Sequence, residues 1–399
     1  MSTPGAAALL DGFDHVETRP EFEARIKEAR PLVVKLGLDP TSADLHLGHA
    51  VVLHKMQQFV DAGHQVTLVI GDMTGRIGDP SGRNEMRPAL SDEQIRANMQ
   101  TYSEQAAAVL DMSRVTVRYN SEWLGKLDLM DLLRLFSQVT VAQMLARNDF
   151  AERYAANVPI SLAEFLYPIS QAYDSIALHA DVELGGNDQL FNLLMGRHFQ
   201  EHAGQRQQVC MTVPLLEGLD GVKKMSKTSG NYVGLTESPE TQFGKLMSIS
   251  DELMPRYARL AAFRSKDECD AMAAALAAGK QSQPMEQKKQ LAQEIVARYH
   301  GAEAARRARE YFERTVQRKE IPESEVPEMR VGEAKKLAQV LVAAGFAESR
   351  RAAERLISGN GVRVDGILVS DPNALWRAPE PAVVSVGSRR FIRVLPNER

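Results

Sequence analysis

The sequence predicts an α/β chain in which a parallel-sheet core is followed by an α-helical domain and a small α+β domain. Three observations lead to this prediction. Apolar strand-like segments flank one helical segment between residues 31 and 70, as in a βαβ unit. Residues 238–315 are rich in Ala, Glu, Lys, Gln and Arg and poor in β-branched residues, which is typical of helices. Near the end of the chain, two short helical patterns precede a strand with a tight-turn signal.

The elements of the core are predicted from apolar runs and their boundaries. Residues 31–38 are mostly apolar and end at Asp39-Pro40, as a buried parallel strand does. A helix is expected over residues 48–62. Two more strands are expected over 65–70 and 115–119. The amphipathic stretch 127–153 predicts one or two helices.

The C-terminal part has its own pattern. Two short helices are expected over residues 337–341 and 349–357, and Asp-Gly within 361–366 signals a turn after a strand. Residues 321–328 hold two prolines and three glutamates, which is typical of a linker. The predicted domains are 1–234 (core, with a helical insertion at about 125–180), 235–320 (helical), 321–331 (linker) and 332–399 (C-terminal domain).

Composition limits the class of protein. The 399 residues, 44% hydrophobic and 25% charged, are ordinary for a globular protein of two or three domains. Cys210 and Cys269 are far apart and in no metal-ligand spacing, so we expect no disulfide framework and a cytoplasmic location. The N-terminus lacks the basic segment of a signal peptide, and no apolar run approaches the ~20 residues of a membrane span. No membrane partner is therefore expected.

Charge is unevenly distributed along the chain. The net charge is −4, yet residues 331–399 contain 11 Lys and Arg against 7 Asp and Glu. A basic tail on an acidic body indicates an appended module that binds a polyanion. A chance shift in composition explains the charge equally well.

The first candidate motif is His46-Leu47-Gly48-His49, at the start of a predicted helix. Both imidazoles can donate hydrogen bonds to phosphate at a helix N-terminus, where the backbone dipole favours anions. Gly48 has no side chain, so an adenine ring can lie flat on the backbone. Two alternatives are a zinc site, for which no third ligand is placed nearby, and ordinary helix-start histidines.

The second motif is Lys224-Met-Ser-Lys-Thr228, in a glycine-bordered loop. Lysines on a mobile loop can reach a pyrophosphate leaving group as charge develops on it, which stabilises the transition state without a covalent intermediate. The alternative is a solvated surface loop. The presence of both motifs in one chain favours the functional interpretation, and it predicts that they meet at a single triphosphate.

A third segment, Asp79 to Arg87, combines a carboxylate with arginines. Asp79 suits a substrate ammonium, and Arg83 and Arg87 can add to the phosphate site. Solvated loop charges are the alternative, above all for Arg87. Gly185-Gly-Asn-Asp-Gln189 is a glycine turn with a carboxylate, suited to ribose hydroxyls or else a plain connection between a strand and a helix.

Tyr167, Gln171 and Asp174 share one helical face by their spacing. That face carries a phenol, an amide and a carboxylate, which is too polar for core packing. We therefore expect a site that holds an α-amino group and recognises a distal hydroxyl.

These motifs resemble the bacterial tyrosyl-tRNA synthetase family along nearly the whole chain. The histidine motif is similar to the HIGH element of class I aminoacyl-tRNA synthetases, and Lys224–Thr228 to their KMSKS element. Gly78-Asp-Pro-Ser-Gly82 and the Tyr167–Asp174 segment resemble tyrosine-specific elements. Residues 332–371 resemble an S4 RNA-binding domain, notably Ser349–Ile357 and Gly361–Gly366.

The resemblance implies a Rossmann-like core and a tyrosine-tRNA ligase activity. L-Tyrosine and ATP, with Mg²⁺ accompanying the nucleotide, would give tyrosyl-adenylate and pyrophosphate, and the tyrosyl group would pass to the 3′ end of tRNA(Tyr). No tightly bound metal or organic cofactor is implied. The resemblance also implies a homodimer, with residues 127–153 as a contact region.

Roles follow for residues at matching positions. Those implied for tyrosine are Asp79, Tyr167, Gln171 (ammonium), Asp174 (phenol), Gln189 (carboxylate), Asn120 and Trp123 (wall). Those implied for ATP are Gly37, Asp39, His46, Gly48, His49, Gly186 and Asp188. Those implied for pyrophosphate are Lys224, Lys227, Thr228, Arg83 and Arg87. Those implied for RNA are Arg350, Arg351, Arg355 and Arg363.

The chain departs from the family pattern at a few positions. Lys35 and Leu36 stand where better-known members carry a tyrosine and a cysteine, and a lysine cannot accept a hydrogen bond from a phenol. Val52 replaces a threonine near the ribose, and Arg83 replaces a lysine. We expect altered binding detail and the same amino acid.

Three other functions are compatible with parts of the pattern. A tryptophanyl-type synthetase shares the core motifs, but Asp174 and the S4-like tail argue against it. A small-molecule nucleotidyltransferase would not need the tail. A non-catalytic RNA-binding protein would not need both phosphate motifs.

Overall fold

The structure, a computed structural model, describes residues 5–40, 44–81, 91–279, 283–317, 328–331, 336–376, 381–387 and 390–396. The chain divides by compactness into residues 1–305 and residues 306–399. The predicted domain boundaries at residues 234 and 320 do not coincide with this division and stay predictions.

A six-stranded sheet forms the core of the first unit. Its strands are β1 (His15–Glu17), β2 (Val33–Leu38), β3 (Gln65–Ile70), β4 (Val115–Tyr119), β5 (Val182–Gly186) and β6 (Val209–Val213). They lie in the order β1-β6-β5-β2-β3-β4. The edge strand β1 is antiparallel to β6, and all other neighbours are parallel. The predicted α/β class with a parallel sheet is confirmed.

Helices surround this sheet and follow it in the chain. They are α1 (Ala6–Leu10), α2 (Arg19–Lys27), α3 (Leu47–Asp61), α4 (Thr74–Ile77), α5 (Asp92–Ala106), α6 (Ser121–Leu124), α7 (Leu129–Phe136), α8 (Val141–Leu145), α9 (Asn148–Ala155), α10 (Leu162–Leu178), α11 (Leu190–His202), α12 (Pro239–Leu246), α13 (Met254–Leu260), α14 (Lys266–Ala277), α15 (Pro284–His300) and α16 (Ala302–Phe312). Helix α3 joins β2 to the parallel β3, which is the βαβ unit expected from the apolar runs.

The stretch 127–153 contains three helices, so the prediction of one or two was wrong. Side-chain caps divide it: the Asp131 N–H donates to Asp128 Oδ1 at 2.9 Å, and the Gln143 N–H donates to Thr140 Oγ1 at 3.2 Å. Each cap starts a new helix, because it satisfies a backbone donor that an uninterrupted helix would bond internally. Amphipathic spacing alone does not reveal such breaks.

Helix α13 packs on the sheet domain. Tyr257 Oη donates to the Glu217 carbonyl at 2.8 Å, and Arg256 Nη2 donates to the Leu215 carbonyl at 2.9 Å. These bonds satisfy backbone carbonyls at the end of the core, so α13 belongs to the same compact unit. No helix within the described ranges is long and apolar enough to cross a membrane.

A second sheet and two helices form the described part of the C-terminal unit. They are β7 (Glu328–Val331), α17 (Leu337–Ala343), α18 (Arg350–Ser358), β8 (Val362–Val364), β9 (Ile367–Val369), β10 (Ala382–Val386) and β11 (Arg390–Pro396). The sheet order is β7-β11-β10-β8-β9. Asp365 and Gly366 both have positive φ in the β8–β9 turn, as the Asp-Gly signal predicts.

Residues 328–331, assigned above to the linker, form a strand. This strand pairs in parallel with β11, whose partner residues are at the far end of the chain. Residues 321–327 of the predicted linker lie outside the described residues. A strand of four residues with a distant partner has no local signal, and the neighbouring prolines favoured a linker.

Candidate active site

The predicted nucleotide residues lie at the carboxyl ends of parallel strands. Gly37 is near the end of β2, and Gly186 ends β5, the strand paired with β2. The position of a Cβ on Gly37 is open, whereas a Cβ on Gly186 would lie 2.8 Å from Asp188 Oδ1. Open α/β sheets bind ligands at this edge, where the strand order changes direction.

The histidine turn precedes α3. His46 is 7% exposed, and its ring centroid lies 3.9 Å from that of His49. The His46 N–H donates to His49 Nδ1 at 3.2 Å, so the His49 proton is assigned to Nε2, which can donate outward. Within the described residues His46 Nδ1 has no hydrogen-bond partner. A buried ring nitrogen of this kind is suited to a ligand.

Both imidazoles are neutral near pH 7. Burial, with smaller effects of His49 and Lys224, lowers the pKa of His46 to about 2. Burial, then Lys224, lowers the pKa of His49 to about 4. No group of three His, Cys, Asp or Glu side chains in the described ranges could hold a metal ion.

The lysine loop contacts the histidine turn. A Cβ on Gly48 would lie 3.7 Å from the Cβ of Met225, and the Leu47 N–H donates to the Val233 carbonyl at 3.0 Å. Lys227 Nζ lies 2.5 Å from Oδ2 of Asp44, just before the turn. The two motifs, remote in sequence, are therefore neighbours in the folded chain.

A second lysine connects the loop with the carboxyl end of a central strand, β5. Lys224 Nζ lies 2.6 Å from Oδ2 of Asp188, directly after β5. Thr228 is exposed on the same loop. Arg83 and Arg87 lie outside the described residues.

Asp79 lies in a network of polar side chains. Its Oδ2 accepts from Gln189 Nε2 at 2.7 Å, and its Oδ1 accepts from the Ser81 N–H at 2.9 Å. Arg147 Nη2 lies 3.4 Å from the same Oδ1, and Arg147 Nη1 donates to Asn192 Oδ1 at 3.0 Å. These contacts fix the direction of the carboxylate.

The polar face of α10 is buried, although its residue types are too polar for ordinary core packing. Burial raises the pKa of the Tyr167 phenol, and the carboxylates Asp39 and Asp79 act in the same direction. Gln171 Nε2 donates to Glu183 Oε1 at 3.0 Å. The Oε1 of Gln171 has no partner among the described residues, so it remains an acceptor for a ligand.

Asp174 is held by two side chains from the region of β4. Its Oδ1 accepts from Trp123 Nε1 at 2.7 Å, and Asn120 also stabilises its charged form. Asn120 is fully buried, and hydrogen bonds satisfy its amide group. Its Oδ1 accepts from the Met73 N–H at 3.0 Å, and its Nδ2 donates to Thr74 Oγ1 at 3.1 Å.

The pKa of Asp174 is raised to about 7. Burial is the main cause, and Glu183 acts in the same direction, while Lys35, Trp123 and Asn120 oppose it. Near neutral pH this carboxyl group is therefore close to the point at which it loses its proton.

Two supporting interactions were missed by sequence reasoning. Lys35 was noted as a departure, but its ion-pair partner Glu183 was not identified; Lys35 Nζ lies 3.1 Å from Glu183 Oε1. A signal existed, since each charge interrupts an apolar strand. Arg147 had no such signal, because it lies in a polar stretch between two short helices.

The four arginines predicted for RNA lie in the C-terminal unit and are all exposed. Arg350, Arg351 and Arg355 are on α18, and Arg363 is on β8. Arg350 Nε lies 3.0 Å from Glu354 Oε1. Exposure leaves these guanidinium groups accessible to a polyanion.

Two family models match the chain. One, described as tRNA synthetases class I (W and Y), matches residues 27–317, and the S4 domain model matches residues 335–375. A tyrosine–tRNA ligase of Oleidesulfovibrio alaskensis is 48% identical over 389 residues, or 97% of each chain. That of Bordetella pertussis is 49% identical over 388 residues, covering 96% of this chain and 94% of its own.

Solved structures are similar in fold. The tyrosyl-tRNA synthetase of Archaeoglobus fulgidus, complexed with L-tyrosine, has a TM-score of 0.63 at 21% identity and covers 76% of this chain and 98% of its own. The tyrosyl-tRNA synthetase of Aeropyrum pernix has a TM-score of 0.62 at 20% identity, over 77% and 98%. At these identities the likeness concerns the fold.

Proposed function

The chain belongs to the tyrosine–tRNA ligase family of class I synthetases, and on this basis we propose that it charges tRNA(Tyr) with tyrosine. A carboxylate oxygen of L-tyrosine attacks the α-phosphorus of ATP, and the bond from that phosphorus to the bridging oxygen breaks. Pyrophosphate leaves and tyrosyl-adenylate remains. A hydroxyl of the terminal ribose of the tRNA then attacks the tyrosyl carbonyl, and AMP leaves.

One observation carries the proposal: the histidine turn and the lysine loop are neighbours, and an ion pair joins Lys227 of the loop to Asp44 just before the turn. Donors for one nucleotide thus come from a rigid helix start and from a loop, as adenylyl transfer requires. Neither motif alone would distinguish phosphate binding from a solvated surface.

Tyrosine recognition is assigned to the polar face of α10 and to Asp79. The ammonium group would be held by Asp79, the Tyr167 hydroxyl and the free Oε1 of Gln171. Asp174 would accept a hydrogen bond from the phenolic O–H of tyrosine, and Trp123 and Asn120 would hold the Asp174 carboxylate in place. Gln189, bonded to Asp79, would lie near the substrate carboxylate.

Nucleotide binding is assigned to neutral histidines and to cationic lysines. The His49 Nε2–H and the His46 ring would donate to phosphate at the start of α3, where the helix dipole favours an anion. ATP enters as its Mg²⁺ complex, and Asp188 would bind its ribose. Lys224, Lys227 and Thr228 would follow the departing pyrophosphate, together with Arg83 and Arg87.

The C-terminal unit is proposed to bind tRNA through its exposed arginines. The match to the S4 family covers the described helices α17 and α18 and the β8–β9 hairpin. A protein that charges tRNA is proposed to act in the cytoplasm, where its two buried free cysteines would stay reduced.

The protein is proposed to act as a homodimer. The insertion between β4 and β5 exposes large apolar side chains, here called the insertion patch: Leu129, Met130, Leu133, Phe136, Val141, Tyr154 and Leu162. An exposed apolar surface of this size is typical of an interface. A second copy of the chain is the occupant proposed, since the same patch on both partners suits a two-fold axis.

Amino-acid-dependent exchange of labelled pyrophosphate into ATP tests the activity. With each of the twenty amino acids in turn, we expect exchange with tyrosine far above that with any other amino acid, and tyrosylation when tRNA(Tyr) is added. Exchange with tryptophan would overturn the substrate assignment. Exchange with no amino acid would overturn the proposed reaction.

A further inference from the structure

Three buried ionisable side chains lie together under the polar face of α10. Lys35 on β2 is 1% exposed, Glu183 on β5 is 0% exposed and Asp174 on α10 is 3% exposed. One cationic side chain is thus buried close to two carboxyl groups. Charges at such sites interact strongly, so the cation influences the charge state of the Asp174 carboxyl group.

The Lys35 ammonium is fixed between the sheet and the helix. Lys35 and Glu183 are direct partners in the register of the parallel strands β2 and β5. Lys35 Nζ lies 3.1 Å from Glu183 Oε1 and donates to the Gln171 carbonyl at 3.1 Å, one helical turn before Asp174. The ammonium is therefore held against the helix that carries the phenol acceptor.

Glu183 has more partners than a simple ion pair requires. It accepts from Gln171 Nε2 at 3.0 Å and from Ser175 Oγ at 3.2 Å, and Gln208 Nε2 donates to it as well. These neutral donors satisfy its oxygens, so Glu183 does not depend on Lys35 alone. The positive charge of Lys35 remains effective toward other groups nearby.

Lys35 is the strongest influence in favour of a charged Asp174. Lys35 lowers the pKa of that carboxyl more than either the bond from Trp123 or the bond from Asn120 does, while Glu183 raises it. The neighbouring thiol of Cys210 on β6 is uncharged, because burial raises its pKa far above neutrality. The two members of the ion pair therefore act on the pKa of Asp174 in opposite directions.

We propose that Lys35 is a positioning residue for recognition of the tyrosine hydroxyl. Its ammonium, clamped by Glu183 and the Gln171 carbonyl, maintains Asp174 as the carboxylate that accepts the phenolic O–H. Lys35 acts through Asp174 and need not touch the substrate. The inference deepens the proposed tyrosine activation and rests on it.

The competing explanation is purely structural. A buried ion pair between adjacent strands can hold them in register without any influence on the ligand. Its loss would then weaken the fold, and it would affect tyrosine and phenylalanine alike, because phenylalanine fills the same site without a hydroxyl.

Paired variants distinguish the two explanations. Lys35→Met removes the cation, and Glu183→Gln removes the neighbouring anion. The readouts are KM and kcat for tyrosine and for phenylalanine in pyrophosphate exchange, and the pH below which the tyrosine KM rises. For Lys35→Met we expect that pH to move upward and the preference for tyrosine to fall at least tenfold at pH 7. For Glu183→Gln we expect the pH to move downward and the preference to be retained.

The double variant Lys35→Met/Glu183→Gln covers the case in which a single variant fails to fold, since it removes both charges of the ion pair together. We expect its preference for tyrosine to fall as well, because Lys35 acts on Asp174 more strongly than Glu183 does. An unchanged preference in the double variant, or equal losses with both amino acids, would overturn the proposal. Absence of tyrosine-dependent exchange in the unaltered protein would instead overturn the proposed function.

Discussion

Lys224 Nζ lies 2.6 Å from Oδ2 of Asp188, so the first lysine of the lysine loop forms an ion pair with the carboxylate proposed to bind ribose. Lys224 is partly exposed, and ion pairs of that kind contribute only about 0.2–1 kcal/mol. Pyrophosphate carries more charge than a carboxylate. The lysine can therefore leave Asp188 at little cost when negative charge develops on the leaving group.

Lys224→Ala should slow tyrosyl-adenylate formation by roughly 10²–10³-fold, since the lost donor acts on charge that develops in the transition state. The KM for tyrosine should change little. Rapid-quench measurement of adenylate formation checks both. Lys223→Ala, at the neighbouring exposed lysine, is the matched control and should retain the rate. Equal losses in the two variants would show that the effect is not specific to Lys224.

Asp174→Asn should stabilise the protein without ligand while abolishing tyrosine activation. The folded state raises the pKa of Asp174 to about 7 from an ordinary value near 3.8, so the folded state binds this proton more tightly than the unfolded state. Its contribution to stability is present below about pH 4 and is lost as pH rises toward 7. Asparagine avoids that loss. Above pH 7 we expect a gain of about 2–4 kcal/mol in the free energy of unfolding.

Denaturant unfolding at pH 4 and pH 8 checks this prediction. The gain should be small at pH 4 and largest at pH 8. Asp270→Asn, at an exposed aspartate, is the control and should not change the free energy of unfolding by a comparable amount. Destabilisation by Asp174→Asn at both pH values would mean that the carboxyl group is structurally required.

The sequence predicted the parts of the fold whose signals are local. The βαβ unit from β2 to β3 follows from apolar runs and a helical period, and the β8–β9 turn follows from Asp365-Gly366. The division of residues 127–153 depends on caps such as Thr140, and β7 depends on a partner strand at the end of the chain. Neither leaves a clear local pattern.

The residues of the candidate site likewise fall into those with a local sequence pattern and those without one. Residues within compact motifs, such as His46, Lys224 and Asp174, could be selected from spacing and chemistry. Arg147 could not, because its importance comes from its contact with Asp79 across the fold, and the charge of Glu183 within an apolar strand did not by itself identify Lys35 as its partner. Such supporting residues orient or charge a binding group, and only the packed structure brings them to it.

Met130→Asp should convert the proposed dimer to a monomer. Met130 is 56% exposed in the insertion patch, and a carboxylate at an apolar interface would be buried without a partner. Sedimentation equilibrium at micromolar concentrations gives the state of association. Met285→Asp, at a methionine 53% exposed on α15, is the control and should remain dimeric. A wild-type monomer, or dissociation in both variants, would contradict the assignment of the interface.

Replacing Arg350, Arg351 and Arg355 with glutamine should weaken tRNA binding and leave tyrosine activation intact. All three are exposed on α18, and a guanidinium that contacts phosphate releases counterions when it binds. We expect the affinity for tRNA(Tyr) to fall roughly 10–100-fold near 0.1 M salt, with a salt dependence shallower by up to about two units in log–log slope. Filter binding across salt concentrations measures both, and pyrophosphate exchange verifies the catalytic unit. The matching variant with lysine at the three positions keeps the charge and should retain most of the affinity. If the glutamine variant binds tRNA as tightly as the lysine variant, α18 is not the tRNA surface.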